Sequence, residues 1–213
     1  MSTTRTDNMR RRRERILDEA RKMIASGGFE ALKFRELAQR SKVTAPTIYN
    51  LVGNKEELLK VLTLGTLENY ETLLARQMPC PAADLPVLMA ETFRHMILQE
   101  GESFRATALA NEKLEAQKEK PGEFGFRRAQ VRNIIKRLFD QSAAEGLLRE
   151  EVDHALLVEQ AVVIQQVAVR DWAHRLISMP AFYRRSLGGL YTTLAADAVD
   201  DYRAQLFEKL RAL

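Results

Sequence analysis

The chain of 213 residues is poor in the residues that staple or break a polypeptide, with 1 Cys, 1 Trp, 6 Pro and 10 Gly. A lone Cys80 cannot close an internal disulfide or supply a CxxC redox or zinc pair, so a reducing compartment is expected. It reads as an incidental exposed thiol, with a redox sensor as the alternative. No apolar run reaches the ~18 residues of a membrane span, and the basic N-terminus lacks the apolar core of a signal peptide. No segment alternates apolar and polar residues well enough to predict a sheet. Enzyme signatures are missing too: there is no GxSxG elbow, no Gly-rich phosphate loop and no close carboxylate pair in a loop. His95, His154 and His174 stand far apart without HExxH or paired CxxC spacing, so neither a metal nor another cofactor is expected.

What is present is a chain 46% hydrophobic and 29% charged, a composition that excludes disordered and fibrous classes. The expectation is a soluble, cytoplasmic, all-α protein long enough to bury a sizeable core. Its net charge of +4 is unevenly spread: 13 Lys and Arg face 6 acids up to Lys55, giving +7, while the remainder carries −3. Such asymmetry predicts a polyanion as partner of the N-terminal part and another task for the rest.

The basic part opens with a tail expected to be flexible over residues 1–8, then a run of four arginines, Arg10 to Arg13. The run is either a solvated helix start or a mobile arm, with Arg10, Arg11 and Arg12 on DNA phosphates. Counterion release gives such an arm affinity without exact geometry. Ile16, Leu17, Ala20, Met23 and Ile24 then repeat with helical spacing until Gly27 and Gly28, where a left-handed residue can end the helix. Phe29 and Leu32 are expected to plug the small core that follows.

Residues 34–55, FRELAQRSKVTAPTIYNLVGNK, predict two short helices joined by a tight turn. Phe34, Leu37, Ala38 and Ser41 form one buried face. Thr44 caps the second helix, Pro46 is tolerated in its first turn, and Ile48, Leu51 and Val52 form its buried stripe. Ala45, Thr47, Tyr49 and Asn50 face outward. Small and hydrogen-bonding side chains on a short braced helix suit the DNA major groove. Asn54 with Glu57 three residues on predicts a capping box for a fourth helix, extended by Leu58, Leu59, Leu62, Leu67 and Leu74. Lys55 in its first turn is either solvated or on a phosphate that the helix's N–H groups also meet.

The stretch GFEALKFRELAQRSKVTAPTIYNLVGNKEELL, residues 28–59, resembles the DNA-binding region of the TetR family of bacterial transcriptional regulators; with the helix before it, the resemblance covers about a quarter of the chain. The resemblance implies an all-α homodimer with a helix-turn-helix over residues 1–56 and an effector-binding and dimerising bundle over residues 57–213. By motif position Tyr49 and Lys55 are the phosphate contacts, joined by Thr44 and Lys33, while Ala45, Pro46, Thr47 and Asn50 meet base edges. The chain departs from the family where Lys33 replaces a frequent Thr cap and Lys42 a turn glycine, at a cost of roughly 1–2 kcal/mol for a left-handed residue. Ala45-Pro46 and Leu51-Val52 also replace frequent Lys-Gly and His-Phe, so a family-typical operator is not implied.

Met78-Pro79-Cys80-Pro81 and Pro86 predict a link after the fourth helix. Helical segments follow at Asp84 to Gln99, Glu102 to about Lys118, Glu123 to Gly146, Val152 to Ser178 and Pro180 to Leu213, with an exposed helix end and loop over Lys113 to Lys120. The last two, rich in apolar and small residues, read as a dimer-forming pair through Val163, Val167, Leu187, Leu190, Leu194 and Ala198. The family resemblance implies an effector pocket, for which Phe93, Met96, Phe104, Gln166 and Trp172 have suitable chemistry, although each also suits plain core.

The expected function is a ligand-responsive repressor that binds a palindromic operator as a homodimer and is released by a small-molecule effector. The rivals are a DNA-acting enzyme that uses the motif for targeting, and a DNA-binding regulator governed by a protein partner.

Overall fold

The computed structural model describes residues 3–116 and 125–213, so the expected helix end and loop over Lys113 to Lys120 lies outside the described residues from 117 onward. Among these it is all-α: α1 (Thr3–Gly27), a 3-10 turn (Phe29–Ala31), α2 (Phe34–Arg40), α3 (Ala45–Val52), α4 (Lys55–Ala75), α5 (Leu85–Ala116), α6 (Gly125–Ala144), α7 (His154–Ala173), α8 (Met179–Ala195) and α9 (Asp200–Arg211). Helix α1 begins at Thr3, inside the stretch read as a tail. The two segments expected on either side of residues 100–101 are the halves of α5, which leaves helical geometry at Glu100 (φ −132°, ψ 28°).

The chain forms two compact units, Met1–Thr66 with Glu100–Lys118, and Leu67–Gln99 with Glu119–Leu213. The core of the first is built from Ile16, Leu17, Ala20, Met23 and Ile24 of α1, Leu32, Leu37 and Ala38, Ile48 and Val52, and Leu58 and Leu62. These are the residues that helical periodicity picks out. Phe29 and Phe34 pack against that core from its edge. Within the same unit Asn111 is buried and donates to Thr63 Oγ1 (2.8 Å) and the Thr107 carbonyl (2.9 Å), a polar tie between α4 and α5.

The second unit packs α6, α7, α8 and α9 around Leu138, Phe139, Ala161, Val162, Leu190, Leu194 and Leu206. At the α7–α8 contact Gly189 lets the helices close: a Cβ there would lie 2.4 Å from Ile164 Cγ2. We expect Gly189→Ala to destabilise the fold by about 1–3 kcal/mol despite alanine's better helix propensity, because the packed core must shift. Adding Ile164→Ala, which removes the clashing methyl, is expected to recover part of that loss in a denaturation double-mutant cycle.

The stretch from Pro180 to Leu213, expected as one segment, is two helices. Helix α8 ends at Ala195 and α9 restarts at Asp200. Between them Asp197, 1% exposed, holds the α6–α7 connection. Its carboxylate accepts the backbone N–H groups of Glu150 (2.9 Å), Glu151 (3.1 Å) and Val152 (3.1 Å). His154 Nε2, 2.9 Å away, must donate, since an ionised carboxylate only accepts. The Arg149 N–H to Asp197 carbonyl bond (2.8 Å) and the Val199 N–H to Leu147 carbonyl bond (3.0 Å) complete the clasp. Leu148 and Ala198 form an isolated antiparallel bridge there. Alanine-rich residues 195–198 carry no breaker, which is why periodicity runs through them.

Candidate nucleic-acid interface

Helix α2 starts from an extended Lys33 that provides no side-chain cap. Lys42 at φ 53° then turns the chain left-handed, with its N–H on the Gln39 carbonyl (3.1 Å), as the departure from a turn glycine implies. Thr44 caps α3: its Oγ1 accepts the Thr47 N–H (3.4 Å) and lies 2.8 Å from Thr47 Oγ1. The two hydroxyls are therefore pre-positioned as a pair at the start of the helix. Ile48 and Val52 anchor its inner face, while Pro46, Tyr49 and Asn50 are exposed and Thr47 half-exposed. Ala45 packs partly against the core, which reduces the surface it can offer a base.

Tyr49 is 55% exposed, and its ring rests on Phe34 at 5.0 Å between centroids and 58° between planes. Such tilted contact fixes the direction of the phenol without burying its hydroxyl. Gly53, at φ 77°, ends α3 in a conformation L side chains rarely adopt; a Cβ there would meet Glu57 Oε2 at 2.1 Å. That carboxylate is in place because the capping box forms: Asn54 N–H donates to Glu57 Oε2 (2.7 Å), and Asn54 Oδ1 accepts from Glu56 and Glu57 N–H (2.9 Å each). The cap occupies two of the N–H groups expected to meet a phosphate, which leaves the half-exposed Lys55 side chain as the charged donor of that turn. Its ammonium sits 4.6 Å from the Phe29 ring centroid. A cation held over an aromatic face costs less ordering when an anion arrives.

Lys33 is exposed, and as an uncapping residue it has a stability cost. We expect Lys33→Ser to stabilise the protein by about 1 kcal/mol in chemical denaturation, while weakening DNA binding through the lost positive charge.

Arg10, read as a phosphate contact, is shared between Asp7 (3.8 Å) and Glu14 (3.5 Å). Arg11, Arg12, Arg13 and Arg15 are exposed. Phe29 and Phe34 lie beneath Lys55 and Tyr49 only because the fold brings them there, so local sequence does not mark them.

The residues expected in the C-terminal part separate. Phe93 lies 6.2 Å from Tyr70 and 5.3 Å from Phe182, and Trp172 lies 6.3 Å from Phe182, all as ring centroids in the second unit. Phe182 thus joins two residues the sequence could only suggest separately. Met96 is buried in the same unit, and Gln166 is half-buried beside Gln165, which donates to the Ser186 carbonyl (2.8 Å). Phe104 belongs to the first unit instead. Of the proposed dimer residues, Leu187, Leu190, Leu194 and Ala198 are at most 3% exposed within the protomer's own core. They have almost no surface left for a partner, which corrects their assignment as direct contacts. Val163 stays 41% exposed on α7, with Leu156 exposed two turns earlier and Val167 half-exposed.

Cys80 is half-buried, and burial, with Asp84 and Glu145 nearby, pushes its thiol above the ordinary range. A raised thiol pKa works against the redox-sensor alternative.

A capped recognition helix braced by α1 and α2, with an aromatic-backed tyrosine and lysine at its far end, defines an all-α helix-turn-helix protein. Residues 16–62 match the family model of bacterial regulatory proteins, tetR family. Over this region the chain is similar to the DNA-binding part of that family. No curated protein sequence gives a significant match. Solved structures extend the likeness to the whole fold. One is SmeT, the repressor of the Stenotrophomonas maltophilia multidrug efflux pump SmeDEF, at 22% identity and TM-score 0.65, over 89% of this chain and 92% of that one. The fatty acid degradation regulator FadR from Bacillus halodurans is 17% identical with TM-score 0.68, over 84% and 93%. A gamma-butyrolactone receptor (ArpA-like protein) is 14% identical with TM-score 0.56, over 93% and 94%. No helix among the described residues is long and apolar enough to cross a membrane.

Proposed function

We propose that the chain is a cytoplasmic transcriptional repressor that binds a palindromic operator as a homodimer and is released by a small-molecule effector. The observation that carries this reading is the outward face of α3 with its flank: Thr44 and Thr47 paired, Tyr49 held on Phe34, and Lys55 held over Phe29. Pro46, Thr47 and Asn50 read base edges; Thr44, Tyr49, Lys55 and Lys33 bind phosphates and set the register. One such helix reads only a few base pairs, so two copies related by a two-fold axis read half-sites one helical turn, or a multiple, apart. The exposed Leu156, Val163 and Val167 of α7 support a dimer contact on that face.

The effector binds in the second unit against the Phe93, Phe182 and Trp172 rings, favouring a mainly apolar molecule. It acts by preferring a dimer whose recognition helices no longer fit consecutive major grooves, and a coupling of ~1–3 kcal/mol changes DNA affinity several-fold to about a hundredfold. Among the fold relatives, the efflux-pump repressor supports repression and the butyrolactone receptor supports a small-molecule effector.

Selection of bound duplexes from a random pool, repeated with a metabolite library, tests the reading. A palindromic consensus with at least one releasing compound is expected. No enrichment at low salt contradicts DNA recognition, whereas enrichment that no compound reverses contradicts effector release and favours control by a protein partner.

A further inference from the structure

Helix α1 continues well beyond the core it serves. Its first buried residue is Ile16, and every side chain from Thr6 to Arg15 is exposed. Ten residues of helix at 1.5 Å each make about 15 Å of rod with nothing buried along it. Apart from Met9 this rod, TDNMRRRRER, has no apolar side chain, so it has no face for a hydrophobic groove or for insertion among lipid chains.

Its charge is concentrated in the half nearest the core. Asp7 and Glu14 engage Arg10 alone. Arg11, Arg12, Arg13 and Arg15 have no carboxylate partner among the described residues. Like charges repel between Arg11 and Arg15 at i,i+4 and between Arg12 and Arg15 at i,i+3. The first turn carries no acidic residue to offset the helix dipole. A solvent-exposed rod of this kind has little to hold it in water, and a polyanion laid beside it removes the repulsion.

We propose that the projecting half of α1 is a second DNA-binding surface, in which Arg11, Arg12, Arg13 and Arg15 bind the phosphate backbone of duplex flanking the half-site. The inference rests on the DNA-binding reading above and adds to it a longer, sequence-independent footprint. It also replaces a mobile arm led by Arg10 with a helix that works through the four other arginines. Successive side chains turn by about 100°, so two or three of the four reach one duplex at a time. Each such contact releases counterions and steepens the salt dependence by about 0.9. Arg side chains hold phosphates well because their planar fork can bind two oxygens together.

The test uses the full chain and a variant with R11Q, R12Q, R13Q and R15Q, on two duplexes: one ending at the selected consensus and one extended by about ten base pairs of random sequence on each side. Wild type is expected to bind the extended duplex tighter and with a salt slope steeper by about 2 per protomer. The variant is expected to lose that increment, so that its affinity falls more on the extended duplex than on the short one and its salt slope is the same on both. An equal flank gain and slope in the variant overturns the proposal and leaves the helix-turn-helix reading intact. A flank effect absent from both proteins, with variant-sensitive binding to phosphatidylserine vesicles, also overturns it and assigns the rod to an anionic membrane surface. Wild type that binds neither duplex overturns the DNA-binding reading, and the proposal with it.

Discussion

Lys55→Ala is expected to weaken operator binding about 30-fold for the dimer and to lower the salt slope by about 0.9 per half-site, with the selected sequence unchanged. Asn54 caps α4 through the N–H groups of Glu56 and Glu57, so the backbone has less to give a phosphate there. The Lys55 ammonium, 4.6 Å from the Phe29 centroid, is the group left to do it. Losing a phosphate contact costs every sequence alike, which separates Lys55 from a base reader. Asn50→Ala, by contrast, is expected to relax sequence preference at one position of each half-site, by about 1–3 kcal/mol of discrimination if it pairs with an adenine edge. Fluorescence anisotropy across a salt series reads both. An unchanged slope for Lys55→Ala would place that lysine in solvent.

Asp197→Ala should destabilise the second unit by about 3–5 kcal/mol, since it leaves three backbone N–H groups and His154 without their acceptor in a buried place. In a chain of this length that is a fall of roughly 10 °C in melting temperature. Asp197→Asn keeps an acceptor and is expected to lose less. The same clasp gives an acid limit. Burial pushes the Asp197 pKa up, but the hydrogen bonds from His154 and from the N–H groups of Glu151, Val152 and Glu150 outweigh it and hold the carboxyl below its ordinary value. A depressed folded-state pKa gives stability that is present above the ordinary carboxylate pKa and lost as pH falls through the depressed one. Wild type is therefore expected to lose this contribution only in strong acid, and the Asp197→Ala protein to show a flatter stability curve below about pH 4. Denaturant melts between neutral pH and about pH 2 measure it; identical slopes in the two proteins would remove Asp197 from the account.

The N-terminal unit could be read closely because its signals are local. A buried stripe at helical spacing, a Thr cap, a proline in the first turn and an Asn-x-x-Glu box each lie within one helix or turn, and Ile16 to Leu62 fold as those patterns require. What escaped was whatever depends on residues distant in sequence. Phe29 under Lys55 is one case. Asp197 is another: its neighbours are alanines, and the partners that pull it out of a helix lie more than 40 positions earlier. Four of the six proposed dimer residues turn inward for a related reason. Leu187, Leu190 and Leu194 are apolar enough for an interface, but hydrophobicity does not say whether a helix spends a given face on its own core or on a partner. Phe93 and Trp172 did meet in one aromatic group, yet only through Phe182, which nothing in its local sequence marks.

The central claim, that two copies of this helix-turn-helix read one palindrome, is tested most directly by sedimentation of the purified chain with its selected duplex. A dimer in solution and two protomers on each palindromic site are expected, with binding lost when one half-site is scrambled. A chain that sediments as a monomer and binds no duplex at low salt would contradict it.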